Sequence, residues 1–524
     1  MSYKVVIPSA GLGTRIGTFT KYINKGLVTV GDKPAIVRVI EKFKDATEII
    51  VLTGYKGDMV KQALSQFNFT PTIRYVDVDK YEGKGSGLGY TLRKAEKHLQ
   101  CPFIFIPNDT IIGDDSINLN PTHSGNWAAY YKLKDEDSLR VEDFRTLNIV
   151  DGFVSNVNAK GIINKNIYIG LCGVLDYKLF WESMQDDESI SIGESYALNK
   201  LKNKKAIRVN DWFDCGNLVS LKKAQSQFKN KNINVLPKED ESIWFTENNV
   251  IKFSVDKDFI NDRVKRLAFL PQSLLPEIIS SNEFTYKYKT LPGSVVSKGL
   301  NAANIVEMLD IFLKQLWKNE QKLTDEFISI TNSFYKKKTY ERVRYYFERF
   351  ESQPKPNTIN GVECDEVFSL LDKIDWELLC NEPIFVNFHG DLHGENILSH
   401  NGKFSLLDWR QNFGGSYEYG DIYYDLAKIR HGLLVNHGIV DKGFFEVNEN
   451  KNEEIYISIF QYSNLLDAEK SMINWVNENG FNAYKVKILT ALIYLNVCGL
   501  HEYPYSKFLY YYGTLLLQEC LNER

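Results

Sequence analysis

Residues 9–27, SAGLGTRIGTFTKYINKGL, follow the apolar run Val5-Val6-Ile7 and carry Gly11, Gly13, Thr14, Arg15 and Lys25. Backbone N–H groups of a glycine loop can approach a polyphosphate closely, and Arg15 and Lys25 add fixed positive charge. Phosphorus chemistry is accelerated mostly by positioning and charge neutralisation, so nucleotidyl transfer is the reaction this set of residues suits. A Walker loop requires Gly-Lys-Ser/Thr, whereas here Gly26 follows Lys25, which excludes that reading. A dinucleotide site needs an acidic residue at the end of the second strand. The strand EIIVLTG ends in Thr53-Gly54 instead, which weighs against it.

A second constellation lies at residues 389–409, HGDLHGENILSHNGKFSLLDW. Asp391 precedes Asn396 by five residues, and Asp408 follows an apolar strand. ATP-dependent phosphoryl transfer uses such a set: one Asp accepts the proton of the attacking hydroxyl, and an Asn and a second Asp hold Mg²⁺ on the phosphates.

The first region resembles the sugar-1-phosphate nucleotidylyltransferases, which open with A-G-x-G-T-R and place a lysine about ten residues later. The resemblance continues in family order through GDKPAI (31–36), GKGSGLGYTL (83–92), FIPNDTI (105–111), AKGIINKNIYIGLCGVLD (159–176) and DWFDCGN (211–217), over about residues 1–225. It implies that Gly11, Gly13 and Thr14 cradle an NTP and that Gly85, Ser86 and Gly87 lie against its base. Arg15 would hold the leaving pyrophosphate, Lys25 the α-phosphate and the incoming phosphate, Lys160 the sugar phosphate, and Asp109 and Asp214 would bind Mg²⁺. Three departures concern substrate identity: Asn24 replaces the proline before the lysine, Asn217 replaces a threonine, and NAKG stands where E-K-P is usual.

The second region resembles the aminoglycoside phosphotransferase and choline kinase family, whose loop reads H-G-D-x-x-x-x-N-I-L before a strand ending in I-D-W. The resemblance implies Asp391 as catalytic base and Asn396 and Asp408 as metal ligands. In GDIYYDLAK (420–428), Asp421 or Asp425 is expected to brace the loop, and His389 and His393 to support it through hydrogen bonds. Lys252 in NNVIKFS is the candidate for pairing with ATP phosphates, although no glycine-rich loop precedes it and DFINDRVKRLAFL offers no obvious acidic partner. YKYKTLPG (286–293) resembles the strand that joins the two lobes.

Elements must position these residues. Strand-like runs (KVVIPSA, EIIVLTG, TIRYVDV, FIFIPND) alternate with helix-like ones (AIVRVIEKF, GDMVKQALSQF, LGYTLRKAEKHL), which predicts an α/β nucleotidyltransferase domain over 1–225. Its sheet is expected to be Rossmann-like, mixed and mostly parallel. The polar stretch 226–240 reads as a linker. A protein-kinase-like two-lobed α+β domain is expected over 241–524, with an N-lobe at about 241–291 and a mostly helical C-lobe at 292–524.

The 524 residues are 25% charged and 44% hydrophobic, with a formal net charge of −4, so nucleic acid is a poor partner. Seven scattered cysteines without a C-x-x-C pair suggest reduced thiols in a cytoplasmic protein. The start of the chain lacks the pattern of a signal peptide, and ILTALIYLNVCGL (488–500) is too short for a membrane span and reads as a buried helix.

The two sites together imply a bifunctional enzyme. ATP would phosphorylate a sugar, and the sugar phosphate would react with a second NTP (CTP, UTP or dTTP) to give an NDP-sugar and pyrophosphate for surface-glycan synthesis. A second reading replaces the sugar by choline, glycerol or a similar alcohol, with CTP as donor. A third makes the kinase-like domain an inactive regulatory module. A nucleotidyltransferase acting on RNA ends is disfavoured by the charge balance. The base, the acceptor and assembly into a homo-oligomer stay open at this level.

Overall fold

The four apolar runs at 4–9, 48–53, 72–77 and 103–105 form parallel strands in the order Thr72–Asp77, Glu48–Thr53, Lys4–Ser9, Phe103–Phe105. The computed structural model describes residues 2–17, 19–113, 117, 119–135, 137, 139–228, 240–450 and 454–523. Lys4–Ser9, Glu48–Thr53 and Phe103–Phe105 are largely buried on both faces, as in a sheet covered on both sides, whereas the edge strand Thr72–Asp77 is half exposed. Val5, Ile7, Ile49 and Val51 enter one hydrophobic cluster, and Val6, Ile50 and Leu52 the other.

The sheet has nine strands and is mixed, with parallel pairing dominant only in its first part. Asn166–Val174 runs antiparallel to both Phe103–Phe105 and Trp127–Lys132; Lys205–Val209 returns parallel to the latter, and Phe153–Val157 and Arg145–Val150 close the edge as a hairpin. Parallel return needs a crossover long enough for a helix, whereas the hairpin turns over Asp151 (φ 47°) and Gly152 (φ 81°), a tight reversal that forces antiparallel pairing.

The helix Leu88–Arg93 packs so tightly that a Cβ at Gly89 would lie 1.9 Å from the Ser189 carbonyl oxygen. Gly89→Ala is therefore expected to destabilise the fold by about 1–3 kcal/mol or more, seen as a lower midpoint in thermal unfolding. An unchanged midpoint would mean that the 188–192 segment yields without cost.

The chain divides into two compact units, Met1–Lys257 with Ile279–Tyr288, and Asp258–Ile278 with Lys289–Arg524. The division differs from the sequence boundary at 240/241. The four-stranded sheet of Glu241–Phe245, Asn249–Ser254, Thr285–Lys289 and Ile278–Ser281 is hydrogen-bonded to the nucleotidyltransferase-like region: Trp244 Nε1 donates to Thr29 Oγ1 (2.9 Å), and Lys287 Nζ to the Gln66 carbonyl (2.9 Å). Most of the expected linker, 229–239, lies outside the described residues.

The second unit is largely helical. Ala483–Cys498, which contains most of the run expected to be a buried helix, is buried from Ile488 to Leu495. Among the described residues no helix is long and apolar enough to cross a membrane. Between the strands Phe385–Asn387 and Ile397–His400 runs the loop that carries Asp391 and Asn396. Ile397–His400 pairs antiparallel with Lys403–Leu406, and two residues further on Asp408 takes a left-handed backbone (φ 56°). For a residue other than glycine this is a strained conformation, of the kind that clusters at functional sites.

Candidate functional site

In the first unit the site forms where the strand Lys4–Ser9 ends. Asn24, fully buried, donates to the carbonyls of Ser9 (2.9 Å) and Tyr55 (2.8 Å), while its Oδ1 accepts from Ser9 Oγ (3.0 Å) and Gly26 N (2.9 Å). The residue that departs from the family proline thus ties the loop to the strand end and caps the short turn Lys25–Leu27. Asn108 Nδ2 joins the same network through Ser9 Oγ (2.9 Å). Gly13 sits at φ 69°, where a Cβ would come within 3.0 Å of Lys25 Cβ, so glycine here lets the loop fold over the lysine stem.

Lys25 Nζ forms a direct ion pair with Asp109 Oδ2, both side chains being largely buried. Asp214 reaches the same place because Trp212–Asp214 pairs with Thr110–Ile112, Asp214 opposite Thr110, and Cys215 N donates to the Asp109 carbonyl (2.9 Å). A Cβ at Gly216 would lie 2.9 Å from Asp214 Oδ1 and 3.1 Å from Asp109 Oδ2, so the two carboxylates converge beside that glycine. Gly216 N (3.0 Å) and Asn217 Nδ2 (3.3 Å) donate to Asp214.

Burial and then the Asp109 charge push Asp214 up to about 6, against the pull of Lys25. In the metal-free protein Asp214 is therefore protonated below that pH, and above it the ionised carboxylate costs the folded state stability. A carboxyl raised in the folded state makes stability fall as pH rises from the ordinary Asp range through about 6. Asp214→Asn is expected to raise the melting temperature of chelator-treated protein at pH 7.5, by a gain of order 1 kcal/mol, and to give little gain near pH 4. The pH series of melts checks this; a drop at pH 7.5 would mean that the carboxylate is held by its donors more strongly than its neighbours oppose it.

Lys160 is pushed below the ordinary lysine range by partial burial and then by Arg15 and Arg145, with a smaller push from Lys25. Arg15, Lys25 and Lys160 therefore share one region of positive potential. Gly87 is explained by packing, since a Cβ there would lie 2.3 Å from the Ile190 carbonyl oxygen. Gly85 and Ser86 form a turn in which Ser86 Oγ donates to the Gly83 carbonyl (2.7 Å).

In the second unit Asp391 Oδ1 accepts from Lys428 Nζ at 2.8 Å, and Asn396 Nδ2 donates to the Asp391 carbonyl (2.9 Å). Burial raises Asp391, but the Lys428 ammonium and its hydrogen bond offset it and hold the carboxyl well below its usual range. Burial pushes His389 and His393 down to about 4, so both are neutral at pH 7. His389 Nε2 donates to the Leu407 carbonyl (2.9 Å), and its Nδ1 accepts from Asp391 N (3.2 Å). Asp425 accepts from His389 N (2.7 Å), Gly390 N (2.6 Å) and Trp317 Nε1 (3.0 Å), fixing the turn before Asp391. Leu407 N donates to the Asn396 carbonyl (2.9 Å), which joins the loop to the strand end carrying Asp408.

Two arginines of the helix Lys257–Arg266 complete this site. Arg263 Nη1 pairs with Asp408 Oδ1 at 3.0 Å. Arg266, fully buried and lowered to about 9 by desolvation, donates to the carbonyls of Tyr417 (2.9 Å), His389 (3.2 Å), Phe388 and Arg410. Both lie in the segment where the sequence offered no acidic partner; their three-residue spacing, which puts them on one helix face, is the signal. Lys428, three residues after Asp425, was legible in the same way. Lys252 is buried in the small sheet of the first unit, whereas Asp391, Asn396 and Asp408 belong to the second.

Each donor set fits a hard divalent cation. Asp109 and Asp214 supply two converging carboxylates, and Asn396 and Asp408 an amide and a carboxylate, all oxygen donors of the kind Mg²⁺ takes alongside phosphate and water. Among the described residues no cluster of three or more His, Cys, Asp or Glu side chains could hold a metal, so the remaining ligands at either place would come from substrate and solvent.

No family model matches the chain. Among curated proteins, it is 23% identical over 257 residues to the bifunctional protein GlmU of Methanococcus maripaludis, covering 47% of this chain and 60% of that one. It is 24% identical over 216 residues to the D-glycero-alpha-D-manno-heptose 1-phosphate guanylyltransferase of Campylobacter jejuni, covering 41% and 94%. The chain thus spans about 60% of the length of the first of these relatives. Among solved structures, UDP-glucose pyrophosphorylase from Acinetobacter baumannii superposes with a TM-score of 0.37 at 20% identity, covering 44% of this chain and 93% of that one. The N-terminal region of this chain is therefore similar to the sugar-1-phosphate nucleotidylyltransferases.

Proposed function

We propose that the first unit transfers a nucleotidyl group from an NTP to a phosphate monoester. The observation that carries this is the meeting of Lys25, Asp109 and Asp214 at the foot of the Gly11–Arg15 loop. A phosphate oxygen of the acceptor attacks the α-phosphorus, the bond to the bridging oxygen breaks, and pyrophosphate leaves. Lys25 neutralises charge on the α-phosphate and Arg15 on the leaving pyrophosphate, and Lys160 adds charge for the acceptor phosphate. The glycine loop keeps the triphosphate close to backbone N–H groups. Mg²⁺ held by Asp109 and Asp214 would supply further neutralisation of the phosphates. The relatives' printed names include sugar 1-phosphates as substrates, which favours an NDP-sugar as product.

The second unit is read as an ATP-dependent kinase that makes the monoester consumed by the first. Asp391 takes the proton of the acceptor hydroxyl, the hydroxyl oxygen bonds to the γ-phosphorus, and ADP leaves. Lys428 keeps Asp391 ionised, and Asp425 and Arg266 hold its loop from behind. Asn396 and Asp408 are the metal ligands in this reading. A second reading, a module that binds without turnover, is favoured by one observation: Arg263 already neutralises Asp408.

Incubation of the full chain with Mg²⁺, ATP, one of CTP, UTP, dTTP or GTP, and free sugars or alcohols decides between them. Nucleotide conjugates of a free acceptor, read by mass spectrometry, support the tandem reading. Conjugates formed only from supplied phosphate monoesters support the inactive module.

A further inference from the structure

The second unit contains a partly open pocket of about 100 Å³, room for several waters or a small charged group. Lys338, Arg342, Arg410 and Lys428 reach its wall together with Asn496, and among the described residues no Asp or Glu lines it. Lys428 connects this space to the Asp391 loop, since it lines the cavity and bonds Asp391 Oδ1 at 2.8 Å.

The four cations are poorly compensated. Lys428 is paired with Asp391, and Arg410 Nε donates to the Asn412 carbonyl (3.1 Å). The side chains of Lys338 and Arg342 make no hydrogen bond or ion pair among the described residues. Lys338 Nζ stands 3.9 Å, and the Arg410 guanidinium 4.9 Å, from the centroid of the Phe334 ring. This ring, with the Tyr424 ring centroid 5.8 Å from Lys338 Nζ, offers only weak compensation for two charges. The hydroxyl of Tyr335, also in the wall, already donates to Asp421 (2.9 Å). Burial and then Arg410, Lys428 and Arg342 push Lys338 well below its ordinary range, with Asp391 acting in the opposite sense. Like charges gathered in a partly desolvated space are stabilised by an anion bound among them.

We infer that this cavity holds an anionic group, a carboxylate or a phosphate, of the molecule whose hydroxyl Asp391 deprotonates. This rests on the kinase reading of the second unit. The acceptor is then a polyhydroxy acid or a sugar or polyol phosphate, and its phosphorylated product carries two anionic groups into nucleotidyl transfer. A quaternary ammonium such as choline meets a wall that carries cations and, among the described residues, no carboxylate, and is rejected. Arg342 and Lys338 act here as binding residues that fix the acceptor's charge.

The test uses the full chain with ATP and Mg²⁺ and compares glycerol, choline, D-glycerate and glycerol 3-phosphate, then glucose, gluconate and glucose 6-phosphate. ADP release and product mass are the readouts. At least one anionic acceptor is expected to exceed its neutral counterpart in kcat/KM by about 10–100-fold; the acid and phosphate arms tell the two sources apart. Arg342→Gln should raise KM for that acceptor about tenfold with kcat little changed, and Arg342→Lys should restore most of the affinity. Turnover of glycerol, glucose or choline at least as efficient as that of the anionic compounds overturns the inference and leaves the kinase reading intact. Where nothing is turned over, calorimetry with D-glycerate and glycerol 3-phosphate decides. Binding that Arg342→Gln abolishes supports the anion site while the kinase reading falls, and absence of binding overturns the site.

Discussion

Replacement of Lys25 by methionine is expected to lower nucleotidyl transfer to a supplied phosphate monoester by about 10²–10³-fold, the cost of removing one preorganised charge from a developing oxyanion. The ammonium stands against Asp109 with little access to solvent, and its stem is covered by Gly13. Methionine keeps the length and the packing and removes only the charge. Asp109 then loses its cation while Asp214 is already held above its usual range by burial and then by Asp109. The variant should therefore bind Mg²⁺ no more weakly than the parent while losing turnover. Pyrophosphate release at saturating NTP, with circular dichroism to verify folding, is the measurement. Loss confined to KM would make Lys25 a binding residue for the ground state, and unchanged kcat/KM would remove it from the reaction.

The second large effect is expected at Asp391. Asp391→Asn should reduce ATP-dependent phosphorylation of a free acceptor by about 10²–10⁴-fold, the range for loss of a positioned general base. Nucleotidyl transfer from a supplied monoester should stay at the parent level. Asparagine preserves the shape of the turn that Asp425 and Arg266 hold through backbone groups, but it cannot take a proton. The depressed pKa of Asp391 means that the base is ionised throughout the neutral range. Activity should accordingly show no acidic limb from this residue above about pH 4, the ordinary Asp range. ADP formation with and without acceptor, across pH 5–9, checks both statements. Retained phosphorylation in the variant would assign the proton to another group; a shared loss of both activities would indicate misfolding.

Local sequence carried much of the first unit. The continuous apolar runs Val5–Ile7 and Ile49–Leu52 mark strands, and here both faces are buried in two separate clusters. Gly11, Gly13 and Lys25 stood out by residue type and spacing, whereas Asp109 and Asp214 entered as candidates through the family resemblance. A mixed sheet was expected, but its large antiparallel share was not legible, since strand direction depends on whether a connection crosses over or turns back, and Asp151-Gly152 turns back. Nor was the association of residues 241–257 with the first unit, because it rests on bonds such as Trp244 to Thr29 between residues over two hundred positions apart.

In the second unit the motif Asp391, Asn396, Asp408 was evident from spacing alone, whereas its electrostatic surroundings were not. Arg263 on Asp408, Lys428 on Asp391 and the gathering of Lys338, Arg342 and Arg410 around one cavity join helices far apart in sequence. A charged residue in a chain is a solvated side chain until folding decides what it faces. The sequence by itself determined which residues could carry phosphorus chemistry, because reactivity resides in residue type and short-range order; only the tertiary structure decided which charges meet, because Coulomb energy depends on distance and burial.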